Sequence, residues 1–222
     1  MNKNTIKLVI VILAAIAAVI LLFMGLKNIK VDDFHPAAVI FVIDSSASNQ
    51  QKLDEQKDFV SQTCKRLDPE DHVKIIRVSE DAYLIYEGSA LSSRNIRKSM
   101  EAFTQYDEKE WGTAYGVGVK KAMAYAKSMN DEGYTPAVVV VGDLENEGSK
   151  DKQIDWDNLP KQVKQLKALV PNFAMMFVYA HPQKLDMVKT KLNPILGESN
   201  LVISTEENLD KSLSRFLKAI ER

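Results

Sequence analysis

Five side chains that carry possible oxygen ligands for a metal ion stand at three places in the sequence: Asp44, Ser46, Ser48, Thr113 and Asp143. The first three alternate with other residues, so their side chains point the same way if the backbone is extended there. Carboxylate and hydroxyl oxygens are hard donors, which suit Mg²⁺, Mn²⁺ or Ca²⁺ and not a soft metal. The set therefore predicts a site for one hard divalent cation. Taken alone, the first three residues could instead cap a helix near residue 50.

Both carboxylates of this set follow strongly apolar segments. Residues 38–43 and 137–141 are continuous apolar runs, the pattern of strands that are covered on both faces of a sheet. The first run ends at Asp44, and the second ends just before Gly142 and Asp143. In an open parallel sheet, ligands bind beyond the carboxyl ends of the strands, where the strand order reverses. We therefore expect the two carboxylates at one edge of one sheet.

The elements that must position these residues follow from the hydrophobic pattern of residues 38–222. Short apolar runs alternate with amphipathic stretches and predict the element order β-α-β-β-α-α-β-α-β-α-β-α. The polar turn at residues 79–81 separates two short strands and predicts a hairpin. The predicted fold class is α/β: a doubly wound, mostly parallel six-stranded sheet with one antiparallel edge strand. Ser204 and Glu207 have capping-box spacing and are predicted to start the last helix.

The motif and the element order together resemble one known family. Asp44-x-Ser46-x-Ser48 directly after a buried strand, with Thr113 and Asp143 in later elements, is similar to the metal-ion-dependent adhesion site of von Willebrand factor A-type domains. The element order resembles that family across residues 37–222. The resemblance implies a von Willebrand factor A-type, Rossmann-like domain with an intact adhesion site.

The resemblance also implies a role for each site residue. Ser46 and Ser48 would bind the metal directly through their hydroxyls, and Thr113 would do so when a ligand is bound. Asp44 and Asp143 would act mostly through bound water. The sequence departs from the family after the fourth strand, where it has Gly142-Asp143-Leu144 and the family often has Thr-Asp-Gly or Ser-Asp-Gly. This departure leaves the shape of that loop open.

The function that this site implies is metal-dependent protein binding. A divalent ion that is held mainly by hydroxyls keeps strong positive charge and an open position, which a Glu or Asp of a partner protein can fill. No nucleophile and base pair accompanies the site, so we predict no catalytic residues, no organic cofactor and no enzyme activity. Two alternatives stay open: a Mg²⁺-dependent hydrolase on the same scaffold, and a scaffold subunit with a vestigial metal site.

The N-terminus predicts attachment to a lipid bilayer. Residues 8–26 are 19 consecutive uncharged, mostly apolar residues, and as a helix they would span about 28 Å, close to the thickness of a bilayer core. We expect a short tail at residues 1–7, a transmembrane helix at 8–26, a stem at 27–37 and the folded domain at 38–222. The alternative is a signal peptide cleaved near Ala15-Ile16-Ala17, which would leave an apolar N-terminus.

Charge decides two further points. Lys3, Lys7 and the N-terminal amine precede the apolar segment, whereas Lys27 and Lys30 are followed by acidic residues. The positive-inside rule then favours a single-pass protein of the cell membrane with a cytoplasmic N-terminus and an extracytoplasmic domain. The formal net charge of −1 gives no basic field that would attract nucleic acid, so nucleic acid is not an expected partner.

Overall fold

A computed structural model of the protein describes residues 35–101, 112–145 and 149–220, and for residues 47, 48, 50 and 93 it describes the backbone alone. The predicted tail, the transmembrane helix at 8–26 and nearly all of the stem lie outside the described residues. Within the described ranges, no helix is long and apolar enough to cross a bilayer. The folded unit runs from His35 onward.

The described elements follow the order that the sequence predicts. The six strands are β1 (Ala37–Asp44), β2 (His72–Val78), β3 (Ala82–Ser89), β4 (Thr135–Val141), β5 (Ala174–Val178) and β6 (Leu201–Ser204). The α-helices are α1 (Leu53–Cys64), α2 (Ser93–Glu101), α3 (Tyr115–Asp131), α4 (Leu159–Leu169), α5 (Pro182–Asn200, interrupted at Gly197) and α6 (Leu209–Ile220). Short 3₁₀ segments cover Ala47–Lys52, Lys150–Lys152 and Glu206–Asn208.

The strands form one sheet in the order β3-β2-β1-β4-β5-β6. Every pair is parallel except β2 and β3, which form the predicted hairpin and make β3 an antiparallel edge strand. β1 is central, with β2 on one side and β4 on the other. The chain therefore changes its direction of winding beside β1, and the carboxyl ends of β1 and β4 border the crevice where such sheets bind ligands. The predicted α/β class is confirmed.

Side chains of β1 alternate between two hydrophobic cores, one on each face of the sheet. Val39, Phe41 and Ile43 pack with apolar residues of α1, α2 and α6. Ile40 and Val42 pack with residues of α3, α4 and α5. All eight β1 residues are buried, which explains why the strand reads as a continuous apolar run and not as an alternating one.

The predicted capping box before the last helix is shifted by one residue. Thr205 is the capping residue, and its backbone N–H donates to Asn208 Oδ1 over 3.1 Å. Ser204 still belongs to β6 and donates its hydroxyl to the carbonyl oxygen of Thr205. Because β6 keeps Ser204 in the strand, the first residue that is available to cap the turn is Thr205.

Candidate functional site

The carboxylate of Asp44 lies at the carboxyl end of β1 and is fully buried, with 0% exposure. Its Oδ1 accepts a hydrogen bond from the Ser46 backbone N–H at 2.8 Å. Its Oδ2 accepts one from the Tyr115 hydroxyl at 2.7 Å and another from the Asn49 side-chain amide. Donors from the following turn and from the start of α3 thus fix both oxygens.

Burial dominates the electrostatics of this carboxylate. Desolvation raises the pKa of Asp44 from 3.8 to about 6, against the opposing effect of hydrogen bonds from Ser46 and Tyr115. The negative charge of Asp143 also raises this pKa, so the two carboxylates lie near each other. Within the described part of the chain, no lysine or arginine pairs with Asp44. At neutral pH the site therefore holds a buried negative charge that only neutral donors stabilise.

Tyr115 connects the two strand ends. Its ring is fully buried, and its hydroxyl donates to Asp44 Oδ2 while it accepts the Leu144 backbone N–H at 3.2 Å. Burial and the charges of Asp44 and Asp143 raise the pKa of Tyr115 well above its usual value, which keeps the hydroxyl protonated. The first residue of α3 thus joins the end of β1 to the loop that follows β4.

Gly142 is required where these groups meet. Its φ is +140°, and a Cβ at this position would lie 2.1 Å from the Tyr115 hydroxyl oxygen and 2.6 Å from Asp44 Cβ. A side chain therefore cannot fit without moving the tyrosine or the carboxylate. The departure from the family pattern at this position has a structural reason, since the absence of a side chain lets β1 and β4 close around the Tyr115 hydroxyl.

Asp143 and Leu144 continue the loop in a strained but well-bonded conformation. The φ of Leu144 is +62°, a left-handed value that costs about 1–2 kcal/mol for a residue with a Cβ. Leu144 is buried, which offsets this strain. Asp143 is half-buried, its Oδ1 accepts the Glu145 N–H at 2.7 Å, and its carbonyl accepts the His181 N–H at 3.0 Å. The loop thus has the positive φ that a glycine would favour there.

Thr113 lies two residues before Tyr115 and is buried, with 1% exposure. Its Oγ1 has no hydrogen-bond partner among the described residues. The next residue, Ala114, is fixed by a hydrogen bond from its N–H to the Ser79 carbonyl at 2.7 Å. A buried hydroxyl without a partner costs about 1–3 kcal/mol, so such a group in a folded protein calls for an explanation.

The two serines of the motif have different standing. Ser46 is buried, and in addition to its N–H its side chain forms a hydrogen bond with Asp44. The Ser48 side chain lies outside the described residues, and its backbone belongs to the 3₁₀ segment Ala47–Lys52. The expectation of an extended backbone from Asp44 to Ser48 is therefore wrong, because the chain turns at Ala47. Ser45 points away to the Val78 carbonyl and the Arg77 guanidinium.

The described site thus groups Asp44 and Ser46 in direct contact, with Asp143 close enough to perturb Asp44 and Thr113 in the segment that leads to Tyr115. The described residues contain no cluster of three or more carboxylate, imidazole or thiol groups. Two carboxylates with hydroxyls form a donor set that suits a hard divalent cation. The orphaned Thr113 hydroxyl and the uncompensated Asp44 charge fit such an ion as well.

Sequence reasoning missed three residues of the site: Asn49, Tyr115 and Gln56. Asn49 is buried and donates to Asp44, and its Oδ1 accepts from Gln56 Nε2 at 3.3 Å. Gln56 lies on the buried stripe of α1 with 0% exposure. An uncharged polar residue on an otherwise apolar helix face was a usable signal, because such a residue needs a buried partner.

Comparisons with known proteins concern the same region. Residues 39–146 match the family model described as von Willebrand factor type A domain. No curated protein shows significant sequence similarity to the chain.

Among solved structures, the fold is similar to three described as follows. The first is the von Willebrand factor type A protein from Catenulispora acidiphila (14% identity, TM-score 0.58, 84% of this chain and 43% of that one). The second is an aerotolerance-related membrane protein from Bacteroides fragilis NCTC 9343 (15%, 0.56, 83% and 98%). The third is proximal thread matrix protein 1 from the mussel byssus with a zinc-occupied MIDAS motif (14%, 0.57, 84% and 48%). The chain spans less than half the length of the first and the third.

Replacement of Gly142 by alanine should destabilise the domain more than the backbone strain alone. Gly133 also has a positive φ, +92°, but a Cβ there would meet nothing within 4 Å. Gly133→Ala is therefore the matched control, with an expected loss of about 1–2 kcal/mol in the free energy of unfolding. Gly142→Ala should lose a further ~2 kcal/mol or more from steric overlap, measured by urea denaturation.

A second substitution identifies the overlapping atom in that comparison. Tyr115→Phe removes the oxygen that lies 2.1 Å from the added Cβ. Gly142→Ala should therefore cost less in a Tyr115→Phe background than in the wild-type chain. Equal losses for the two glycine variants, or no recovery with Tyr115→Phe, would contradict the described packing.

The buried charge of Asp44 makes stability in a chelating buffer depend on pH. Because the folded-state pKa, about 6, lies above the model value of 3.8, the stability it contributes is present below 3.8 and is lost as the pH rises through 6. The free energy of unfolding of the wild type, relative to Asp44→Asn, should fall by about 2 kcal/mol between pH 4 and pH 7. Denaturant titrations at each pH measure it, and parallel profiles for the two proteins would refute it.

Proposed function

Because residues 39–146 form a von Willebrand factor type A domain, we propose that the chain is a membrane-anchored module that binds an acidic side chain of a partner protein through a divalent metal ion. The observation that carries the proposal is the Thr113 hydroxyl, which is buried and lacks a hydrogen-bond partner among the described residues. A bound cation would give this oxygen a partner and would compensate the negative charge of Asp44.

The proposed ligand set is Asp44, Ser46, Ser48, Thr113 and Asp143. Mg²⁺ suits these hard oxygens best, with Mn²⁺ or Ca²⁺ as alternatives. The related mussel protein is described with zinc in its MIDAS motif, so the divalent ions should be compared directly. When bound, the ion would supply the positive charge that draws a carboxylate of the partner.

The work of the chain's own residues is to hold the donors in place. The Asn49 amide, the Tyr115 hydroxyl and the Ser46 N–H together restrict the Asp44 carboxylate to one orientation. Hydrogen bonds from the Glu145 and His181 N–H groups hold Asp143. A site whose donors are already fixed loses little conformational entropy on binding an ion and a guest carboxylate.

The proposed anchor is the apolar segment at residues 8–26, with a tail at 1–7, a stem at 27–37 and the domain from residue 38. The similar structure from Bacteroides fragilis is described as a membrane protein, which supports this placement. Charges around the segment favour a cytoplasmic N-terminus, so the domain would meet its partner outside the cytoplasm.

Thr113→Val separates metal binding from folding. Valine has nearly the same shape as threonine and removes a hydroxyl that has no described partner, so the metal-free variant should be as stable as the wild type or slightly more stable. Millimolar Mg²⁺ or Mn²⁺ should raise the melting temperature of the wild type, and this rise should vanish in Thr113→Val. Differential scanning fluorimetry with EDTA as the reference measures both effects.

Thr63→Val is the control for that experiment. Thr63 is also fully buried, but its hydroxyl donates to the Phe59 carbonyl at 2.8 Å in α1. This variant should lose about 1 kcal/mol of stability and keep the whole response to metal. The partner claim uses the same variants: proteins captured from detergent-solubilised membranes with Mg²⁺ should be lost with EDTA and with Thr113→Val, and kept with Thr63→Val. An unchanged metal response in Thr113→Val would reject the site.

The membrane placement predicts two results for the chain expressed in a bacterium. The full chain should stay in the membrane fraction after alkaline carbonate extraction, and deletion of residues 1–30 should release the domain. Protease added to intact spheroplasts should digest the domain if the N-terminus is cytoplasmic. Full release of the wild-type chain by carbonate would disprove the anchor, and protection of the domain from protease would reverse the orientation.

A further inference from the structure

A groove of about 400 Å³ lies between α3 and α4, and none of the proposed metal ligands lines it. Its lining residues occupy positions i, i+3, i+4 and i+7 of each helix, starting at Lys120 in α3 and at Gln162 in α4. This spacing places them on one face of each helix over two turns, a length of about 10 Å. The groove therefore has the dimensions of a site for a short helical segment.

The floor of this groove is apolar and one of its ends is an exposed leucine. Met123 and Leu166 are buried and form part of the lining. Leu169 ends α4 with 58% of its surface exposed, which is the second-highest value among the large apolar residues that the structure describes as exposed. A recessed apolar floor beside a protruding leucine is a surface that a partner can bury.

The two helices that form the groove are strongly basic. Together α3 and α4 contain six lysines and one carboxylate, that of Asp131, although the chain has a net charge of −1. Lys121 and Lys167 donate to backbone carbonyls. In the part of the chain that the structure describes, Lys120 and Lys127 form no ion pair, and both line the groove as exposed residues.

We propose that this groove binds an amphipathic helix of a partner protein that carries two acidic residues seven positions apart and leucine-like side chains between them. Lys120 and Lys127 are seven residues apart on α3, so acidic residues at the same spacing on a partner helix can face both. The apolar residues between them then cover Met123, Leu166 and Leu169. A flat anionic lipid surface fits less well, because Met123 and Leu166 are recessed between the helices.

This contact needs no metal ion, so it stands apart from the function proposed above. α3 starts at Tyr115, which contacts Asp44, and the groove follows the same helix. A partner could therefore use both surfaces, but each has its own chemistry. Chelation of divalent ions should leave the groove unaffected, and substitutions in the groove should leave the metal response unaffected.

The test uses the full chain in a neutral detergent and fluorescence anisotropy with a labelled helical peptide of about 18 residues. One peptide carries two glutamates seven positions apart with leucines at the third and fourth positions after the first, and a second peptide carries lysines instead of the glutamates. The wild type should bind the glutamate peptide at least tenfold more tightly than the lysine peptide. Lys120→Glu with Lys127→Glu should reverse this preference, because like charges then face the first peptide.

Controls separate this groove from general charge effects. Lys211 and Lys218 have the same spacing on exposed positions of α6, which packs on the other face of the sheet. Lys211→Glu with Lys218→Glu should keep the wild-type affinities within about twofold, and EDTA should change neither. Leu169→Ser should weaken binding of the glutamate peptide about fivefold.

Three results would overturn the proposal. The first is equal affinity of the wild type for both peptides, or no binding of either. The second is an equal loss of binding with the α6 control pair. The third is that micelles of an anionic lysophospholipid bind through Lys120 and Lys127 while the glutamate peptide does not, which would make the groove a lipid contact.

Discussion

The burial of the Asp44 carboxylate is the constraint around which the site is arranged. A carboxylate at the end of a central strand loses its hydration, and in the described structure it gains three neutral donors but no cation. Tyr115, Asn49 and the turn at Ser46 all point to it, and Gly142 lacks a side chain where one would displace it. The nearby charge of Asp143 makes the arrangement still less favourable without a cation. These neighbours make sense together as the surroundings of a positive ion.

The sheet explains why these groups meet. β1 lies between β2 and β4, so connections leave β1 toward one side and return to β4 on the other. The loops after both strands open at the same edge, and α3 begins there as well. Residues 71 positions apart, Asp44 and Tyr115, can then share a hydrogen bond. The same helix carries its basic groove residues away from this edge, which gives the domain two surfaces of different chemistry.

Sequence patterns predicted the sheet well, because strands that are buried on both faces need long apolar runs. The runs at 38–43 and 137–141 became β1 and β4, and the polar turn at 79–81 became the hairpin. The motif also led to Asp44, Ser46, Thr113 and Asp143 as candidates. Predictions failed where geometry in three dimensions decides: the 3₁₀ turn at Ala47, the cap at Thr205, and the roles of Asn49, Gln56 and Tyr115. A periodic pattern reports which face is buried and not which distant group a buried polar atom meets.

The central claim is that one divalent ion lies among the hydroxyls and carboxylates at the ends of β1 and β4. Crystals of the domain grown with Mn²⁺ test it directly, because anomalous scattering locates the ion without assumptions about its ligands. The account predicts one anomalous peak in contact with the hydroxyl oxygens of Ser46 and Thr113, with Asp44 and Asp143 around it. A peak elsewhere, or none at this edge with Thr113 Oγ1 bonded to another protein group, would contradict the account.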